Sequence, residues 1–71
     1  MAGIKDMVVG KKYIAGDSYG YDKVECIAIN PKETPEGCYG VKVRYLDTGF
    51  EDLYYENETG CMFSTYVEEI E

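Results

Sequence analysis

The chain has 71 residues, of which 45% are hydrophobic and 14% aromatic, and its 14 acidic and 7 basic residues give a net charge of −7. This length predicts one small domain over residues 1–71 and excludes the multi-layer folds in which most enzymes build a deep cleft. The aromatic content excludes a disordered acidic tail, because such tails are poor in aromatic residues.

The charge is divided unevenly along the chain. Residues 1–44 hold all 7 basic residues and 6 acids, whereas residues 45–71 hold 8 acids and no base. Because phosphate binding relies on Lys and Arg, this balance disfavours nucleic acid and anionic membranes as partners. A basic protein surface would be attracted to the C-terminal third. The alternative interpretation is an acidic surface that only keeps the domain soluble.

The cysteines indicate a reducing compartment. Three cysteines, Cys26, Cys38 and Cys61, cannot form a complete disulfide framework, and there is neither a C-x-x-C pair nor a histidine to build a zinc site. The N-terminus lacks the apolar segment of a signal peptide, and no apolar run approaches the ~20 residues of a membrane span. The sequence therefore predicts a cytoplasmic protein.

Apolar residues alternate with polar ones at a period of two, which predicts β-strands rather than helices. The first strand is predicted over residues 7–15, with Gly10 as a bulge or a bend, and residues 16–20 form a turn. The second strand covers residues 21–30, where one face carries Val24, Cys26 and Ala28 and the other carries Glu25, Ile27 and Ile29. We expect this strand to be buried on both faces toward its end.

Residues 30–37 contain both prolines and are predicted to form a loop. The third strand follows over residues 39–46, with Val41, Val43 and Tyr45 facing the core. Residues 47–49 form a tight turn, in which Gly49 supplies a positive φ. The fourth strand covers residues 50–55, and residues 56–60 form another turn. The tail, residues 61–71, fits either a short helical turn followed by a fifth strand near residues 66–70 or a two-turn helix.

These elements predict an all-β fold, a small barrel or sandwich, which at this size is a five-stranded sheet closed on itself, with or without a short C-terminal helical turn. The run Val-Lys-Val-Arg-Tyr-Leu-Asp-Thr-Gly-Phe-Glu at residues 41–51, together with Gly-Lys-Lys-Tyr at residues 10–13, resembles small SH3-like (Tudor-like) barrel modules of bacteriophages. Such modules occur alone or before HNH-type homing endonuclease domains. The resemblance implies a phage or mobile-element origin and an association with DNA. In those modules the segment after the hairpin is usually basic, whereas here it is acidic.

The sequence contains no pattern typical of catalysis. There is no nucleophile elbow, no phosphate-binding loop and no calcium-binding spacing, and a barrel of this size has no cleft between paired carboxylates. We therefore expect neither an enzyme, a metal site nor a cofactor. Tyrosines in or beside turns, such as Tyr19 and Tyr21, are the type of residue that lines peptide-binding grooves, but Tyr13 and Tyr45 are better explained as the rim of the core.

The first functional hypothesis is a protein-binding module that uses an acidic face containing tyrosines. If the tail folds back beside the fourth strand, its carboxylates join those of that strand in one patch that imitates DNA phosphates. The most concrete version is a phage-encoded, anti-CRISPR-like inhibitor of a host defence protein with a basic surface. The candidate residues are Glu51, Asp52, Tyr54, Tyr55, Glu56, Glu58, Glu68 and Glu69.

Two other hypotheses compete with the first. The chain is alternatively a nucleic-acid-associated accessory barrel, with Lys11, Lys12, Lys42 and Arg44 forming a basic face. The third is a structural or assembly component of a phage particle, in which strand edges pair between copies of the chain to form a homo-oligomer.

Overall fold

The computed structural model describes residues 3–17, 20–56 and 66–70. A single 3-10 turn, Ile4–Asp6, precedes five strands: β1 (Lys12–Asp17), β2 (Gly20–Ile29), β3 (Tyr39–Tyr45), β4 (Glu51–Glu56) and β5 (Tyr66–Glu69). The described residues contain no helix that is both long and apolar enough to cross a membrane. The predicted all-β fold with five strands is confirmed.

All five strands belong to one antiparallel sheet in the order β4-β3-β2-β1-β5. The first four strands form a meander, and β5 returns to pair with β1. This confirms the alternative with a fifth strand near residues 66–70 and not the two-turn helix. The helical turn considered before it, over residues 61–65, lies outside the described residues.

The sheet bends around one core to which every strand contributes. Val24, Val41 and Val43 are completely buried, and Val67 of β5 and Tyr54 of β4 bury their side chains in the same cluster. The two strands at opposite ends of the sheet order therefore reach the same interior, which a flat sheet of five strands would not allow. The other members of the core are Ile4, Met7, Tyr13, Ala15 and Cys26.

The first strand begins later than predicted, because residues 8–11 form a turn. Lys11 N–H donates to the Val8 carbonyl over 3.1 Å, and Gly10 has a φ of +93°, which only glycine adopts without strain. Gly10 was predicted as a bulge or a bend, and its position in this turn confirms the bend. Met7 nevertheless points into the core, so its apolar character reflects burial beneath the sheet rather than membership of a strand.

A β-bulge in β2 overturns the predicted faces of its C-terminal half. Cys26 pairs with Val43, but the next pair is Ala28 with Lys42, so Ile27 is an extra residue without a partner in register. Directly opposed residues share a face of the sheet, so Ala28 lies on the face of Lys42. The prediction of burial on both faces is wrong, because Ile29 is 37% exposed.

The loop between β2 and β3 is anchored on Gly40. Asn30 adopts a left-handed φ of 48°, and its Oδ1 accepts from the Gly40 N–H at 2.8 Å while its own N–H donates to the Gly40 carbonyl at 2.7 Å. Thr34 fills the space above Gly40, where an added Cβ would lie 2.7 Å from the Thr34 Cγ2. A side chain at this position would therefore push the loop away from the sheet.

The hairpin between β3 and β4 agrees with its prediction. Tyr45 N–H donates to the Phe50 carbonyl and Gly49 N–H to the Tyr45 carbonyl, both over 2.8 Å, and Gly49 has a φ of +82°. A positive φ of this kind favours glycine, because in any other residue the Cβ would crowd the residue's own backbone. The turn thus fixes the register that places Val41 opposite Tyr54 inside the barrel.

Candidate protein-binding surface

The predicted acidic residues fall into two groups at opposite ends of the sheet order. Glu51, Asp52 and Glu56 lie on β4, whereas Glu68 and Glu69 lie on β5, which pairs with β1. The condition for one continuous acidic patch, a tail folded beside the fourth strand, is therefore not met. The reason is that Val67 enters the core beside Ala15 of β1. The eighth candidate residue, Glu58, lies outside the described residues.

Tyr54 is not an exposed anchor for a partner. Its side chain is only 6% exposed and packs opposite Val41 in the core. Its neighbour Tyr55 points to the other face of β4, where it is half-buried opposite Gly40. Of the other tyrosines that were considered for a ligand surface, Tyr21 is 60% exposed, and Tyr19 lies outside the described residues.

Asp52 is exposed, yet both of its carboxylate oxygens accept hydrogen bonds within the chain. The Tyr45 hydroxyl donates to Oδ2 over 2.7 Å, and the Leu53 N–H donates to Oδ1 over 2.7 Å. Burial of the Tyr45 ring, followed by its bond to Asp52, raises the pKa of Tyr45 well above its usual range. Asp52 is thus a structural residue of β4, which its sequence position among acids did not reveal.

Basic residues from the start of the chain pair with acids from its end. Lys5 Nζ lies 3.9 Å from Glu56 Oε2, and Lys11 Nζ lies 3.1 Å from Glu69 Oε2. The folded chain therefore neutralises part of the charge asymmetry that the sequence shows. Because lysines lie beside them, Glu56 and Glu69 are less suited to attract a basic partner than the count of acidic residues in the C-terminal third predicted.

The basic residues of the nucleic-acid hypothesis are distributed among carboxylates. Arg44 lies 3.7 Å from Glu25, and Lys42 lies 2.9 Å from Glu33, in addition to the pair of Lys11 with Glu69. The hydrogen bond between Lys42 and Glu33 lowers the pKa of the Glu33 carboxyl and raises that of the Lys42 ammonium. These pairs weigh against a free basic face for phosphates.

An alternating charge row crosses four strands on the outer face of the sheet. Lys12 of β1 is opposite Glu25 of β2, Glu25 is opposite Arg44 of β3, and Arg44 is opposite Glu51 of β4. Opposite charges on adjacent strands stabilise a sheet by roughly 0.2–1 kcal/mol a pair. We call the residues Lys12, Glu25, Arg44 and Glu51 the charge ladder.

The most exposed large apolar side chain that the structure describes lies at the β3–β4 hairpin. Phe50 is 71% exposed, Leu46 at the other side of the turn is 39% exposed, and Asp47 and Glu51 are exposed beside them. We call residues 46–51 the hairpin tip. Sequence reasoning assigned Phe50 to a strand and did not select it for binding. The signal was a phenylalanine directly after the turn glycine, flanked by acids.

The described residues offer little for small-molecule or metal chemistry. A shallow groove of about 210 Å³ is lined by Gly10, Lys11, Lys12, Glu69 and Ile70, and ligand pockets are usually ~300–1,000 Å³. Within the described ranges no three His, Cys, Asp or Glu side chains form a metal-binding group. Cys26 is buried, and that burial raises the pKa of its thiol.

Comparison of the chain with protein-family models, with curated proteins and with solved structures finds no match in any of the three.

Proposed function

We propose that the chain is a non-enzymatic protein-binding module that docks on a basic protein surface through its hairpin tip. The observation that carries this proposal is the 71% exposed Phe50 between the exposed carboxylates of Asp47 and Glu51. Leu46 extends the apolar surface on the other side of the turn. The partner is expected to offer an apolar pocket surrounded by Lys or Arg.

Interface energetics support this arrangement. Aromatic side chains are enriched among the residues that contribute most to binding, and they act when a ring of polar contacts excludes water around them. Acidic residues at the rim increase the association rate with a positively charged partner and favour the correct orientation. A single exposed apolar residue is ordinary on any protein. It is the combination of Phe50, Leu46 and two carboxylates at one hairpin tip that favours docking.

The most specific form of the proposal is a phage-encoded inhibitor of a cytoplasmic host defence protein that binds nucleic acid. The resemblance to phage barrel modules and the net charge of −7 support it. In this form the carboxylates occupy part of a channel that normally holds DNA phosphates. Duplex DNA carries one negative charge for about every 1.7 Å of its axis. Phe50 then supplies the apolar contact that a nucleic acid lacks.

The test is quantitative capture of proteins from a bacterial host extract, with wild type and two pairs of matched variants as bait. Asp47→Lys changes the charge at the hairpin tip, and Glu36→Lys makes the same change in the exposed loop at the other end of β3. Phe50→Ala removes the exposed ring, and Val9→Ala truncates another side chain that is 53% exposed.

We expect wild type, Glu36→Lys and Val9→Ala to capture similar amounts of a specific partner. Asp47→Lys and Phe50→Ala should each capture at least tenfold less of it. Capture should also decrease as salt is added, because the charges at the tip are screened. Equal losses with Asp47→Lys and Glu36→Lys would show that only net charge matters, which contradicts docking through the tip. A competition experiment with duplex DNA then tests the inhibitor form. If DNA displaces the chain from the purified partner, the two share a site; if it does not, the chain binds elsewhere on the partner.

A further inference from the structure

The outer edge of β4 presents main-chain groups that β3 does not use. Tyr45 N–H donates to the Phe50 carbonyl, so this opposed pair is hydrogen-bonded. Bonded and non-bonded pairs alternate along an antiparallel ladder, so the N–H and C=O groups of Glu51, Leu53 and Tyr55 face away from β3. Within the described ranges, no strand pairs with β4 on that side.

One of these edge donors is already occupied. The Leu53 N–H donates to Asp52 Oδ1 over 2.7 Å, and Asp52 Oδ2 is held in turn by the Tyr45 hydroxyl at 2.7 Å. Tyr45 itself packs against the core, so the carboxylate is fixed from the inside of the barrel. Asp52 therefore occupies the middle donor of the edge, the Leu53 N–H that an incoming strand would otherwise use.

If Asp52 did not occupy the Leu53 N–H, the outer edge of β4 could pair with the same edge of a second copy of the chain. Two β4 strands paired antiparallel with Leu53 opposite Leu53 place Glu51 of one copy opposite Tyr55 of the other, and Asp52 opposite Tyr54. No two carboxylates then oppose each other directly, so like charge on the strands does not prevent this register. The central pair in this register needs the Leu53 N–H as its donor.

We infer that Asp52 is an edge cap that keeps the chain from pairing β4 with β4 of a second copy. Exposed strand edges are a general route to unwanted association, and charged residues on the edge are one way in which proteins prevent it. This role is independent of any partner at the hairpin tip.

Three variants with the same net charge of −6 test the edge cap. Asp52→Ala removes both acceptors, Asp52→Asn keeps an acceptor oxygen for the Leu53 N–H, and Glu51→Gln removes a neighbouring charge but leaves the cap in place. Solution mass is measured by light scattering or sedimentation over a hundredfold range of protein concentration. We expect Asp52→Ala to shift toward twice the monomer mass as concentration rises, while the other two variants and wild type stay monomeric.

The amide of Leu53 gives a second measurement that works even where Asp52→Ala associates too strongly to analyse. In wild type at low concentration, hydrogen exchange at Leu53 should be slower than at Glu51 and Tyr55, which face the same edge. Exchange of Leu53 at the rate of those two amides would overturn the inference. So would a folded, strictly monomeric Asp52→Ala, a dimeric wild type, or equal association of Glu51→Gln and Asp52→Ala.

Discussion

Tyr45 joins the barrel core to the edge of the sheet through one hydroxyl group. Its ring is half-buried against the core, and its hydroxyl donates to Asp52 over 2.7 Å. Burial and the adjacent carboxylate both oppose ionisation of the phenol, so the pKa of Tyr45 is raised in the folded chain. In the unfolded chain the pKa returns to its ordinary value of about 10.

This pKa shift predicts a loss of stability at high pH. Below pH ~10 the phenol is protonated in both states, whereas above it only the unfolded chain loses the proton, which favours unfolding. Denaturant unfolding of wild type should therefore weaken more steeply above pH 10 than that of Tyr45→Phe, by up to about 1.4 kcal/mol per pH unit, the limit for one proton. Parallel pH profiles of the two proteins would show that Tyr45 titrates normally.

Thr34 carries a buried hydroxyl without a hydrogen-bond partner in the described structure. An unsatisfied buried polar group costs about 1–3 kcal/mol, and valine has nearly the same shape. We expect Thr34→Val to raise the free energy of unfolding by ~1 kcal/mol. Thr34→Ser, which keeps the hydroxyl and removes the methyl group over Gly40, should lower it. A decrease with Thr34→Val would mean that the hydroxyl is solvated.

At the scale of elements, the charge ladder places opposite charges directly across from each other on four neighbouring strands. Arg44 lies between Glu25 and Glu51, so reversing its charge replaces two favourable neighbours with two unfavourable ones. Arg44→Glu should destabilise the chain by about 1–2 kcal/mol at low salt, and less at high salt. Adding Glu51→Lys to Arg44→Glu should recover part of the loss, and a double-mutant cycle by thermal or denaturant unfolding measures it. No recovery would show that Arg44 acts through packing.

The alternation of apolar and polar residues predicted the strands well where each residue of one strand pairs with one residue of its neighbour. The faces of β3 and the positive φ of Gly49 follow from the pattern of Val41, Val43 and Tyr45 and from a glycine in a tight turn. The extra residue of β2 could not be predicted in this way. Ile27 is apolar like its neighbours, so nothing in the pattern distinguishes a residue that pairs from one that bulges.

At the scale of the molecule, the return of β5 to β1 extends the sheet around the core. Val67 is 2% exposed, so this short strand is part of the core and not an appendage. Val67→Ala should lower the free energy of unfolding by about 2 kcal/mol, as large-to-small changes in a packed interior do. Val8→Ala, at a side chain that is 52% exposed, is the control and should change it by less than about 0.5 kcal/mol. Equal effects would place β5 outside the cooperative unit.

The sequence predicted an acidic surface but not its arrangement, because pairing between distant strands decides that arrangement. Alternation placed Tyr54 and Tyr55 on opposite faces of β4, yet both faces carry apolar residues, so it did not say which tyrosine is buried. The ion pair of Lys11 with Glu69 joins positions 58 residues apart and follows only from the register of β5 with β1. Phe50 was missed because strand residues are expected to be half-buried.

The bulge in β2 has a consequence for how this chain tolerates changes in its length. Ile27 is the one residue between Cys26 and Ala28 without a partner in β3, so loss of that single codon would leave the pairs on either side in register. What such a deletion would remove is the additional bend and twist that a bulge gives its strand. At this position the curvature of the sheet and the pairing of its strands therefore depend on different residues. A deletion of Ile27 would change the curvature and leave the pairing as it is.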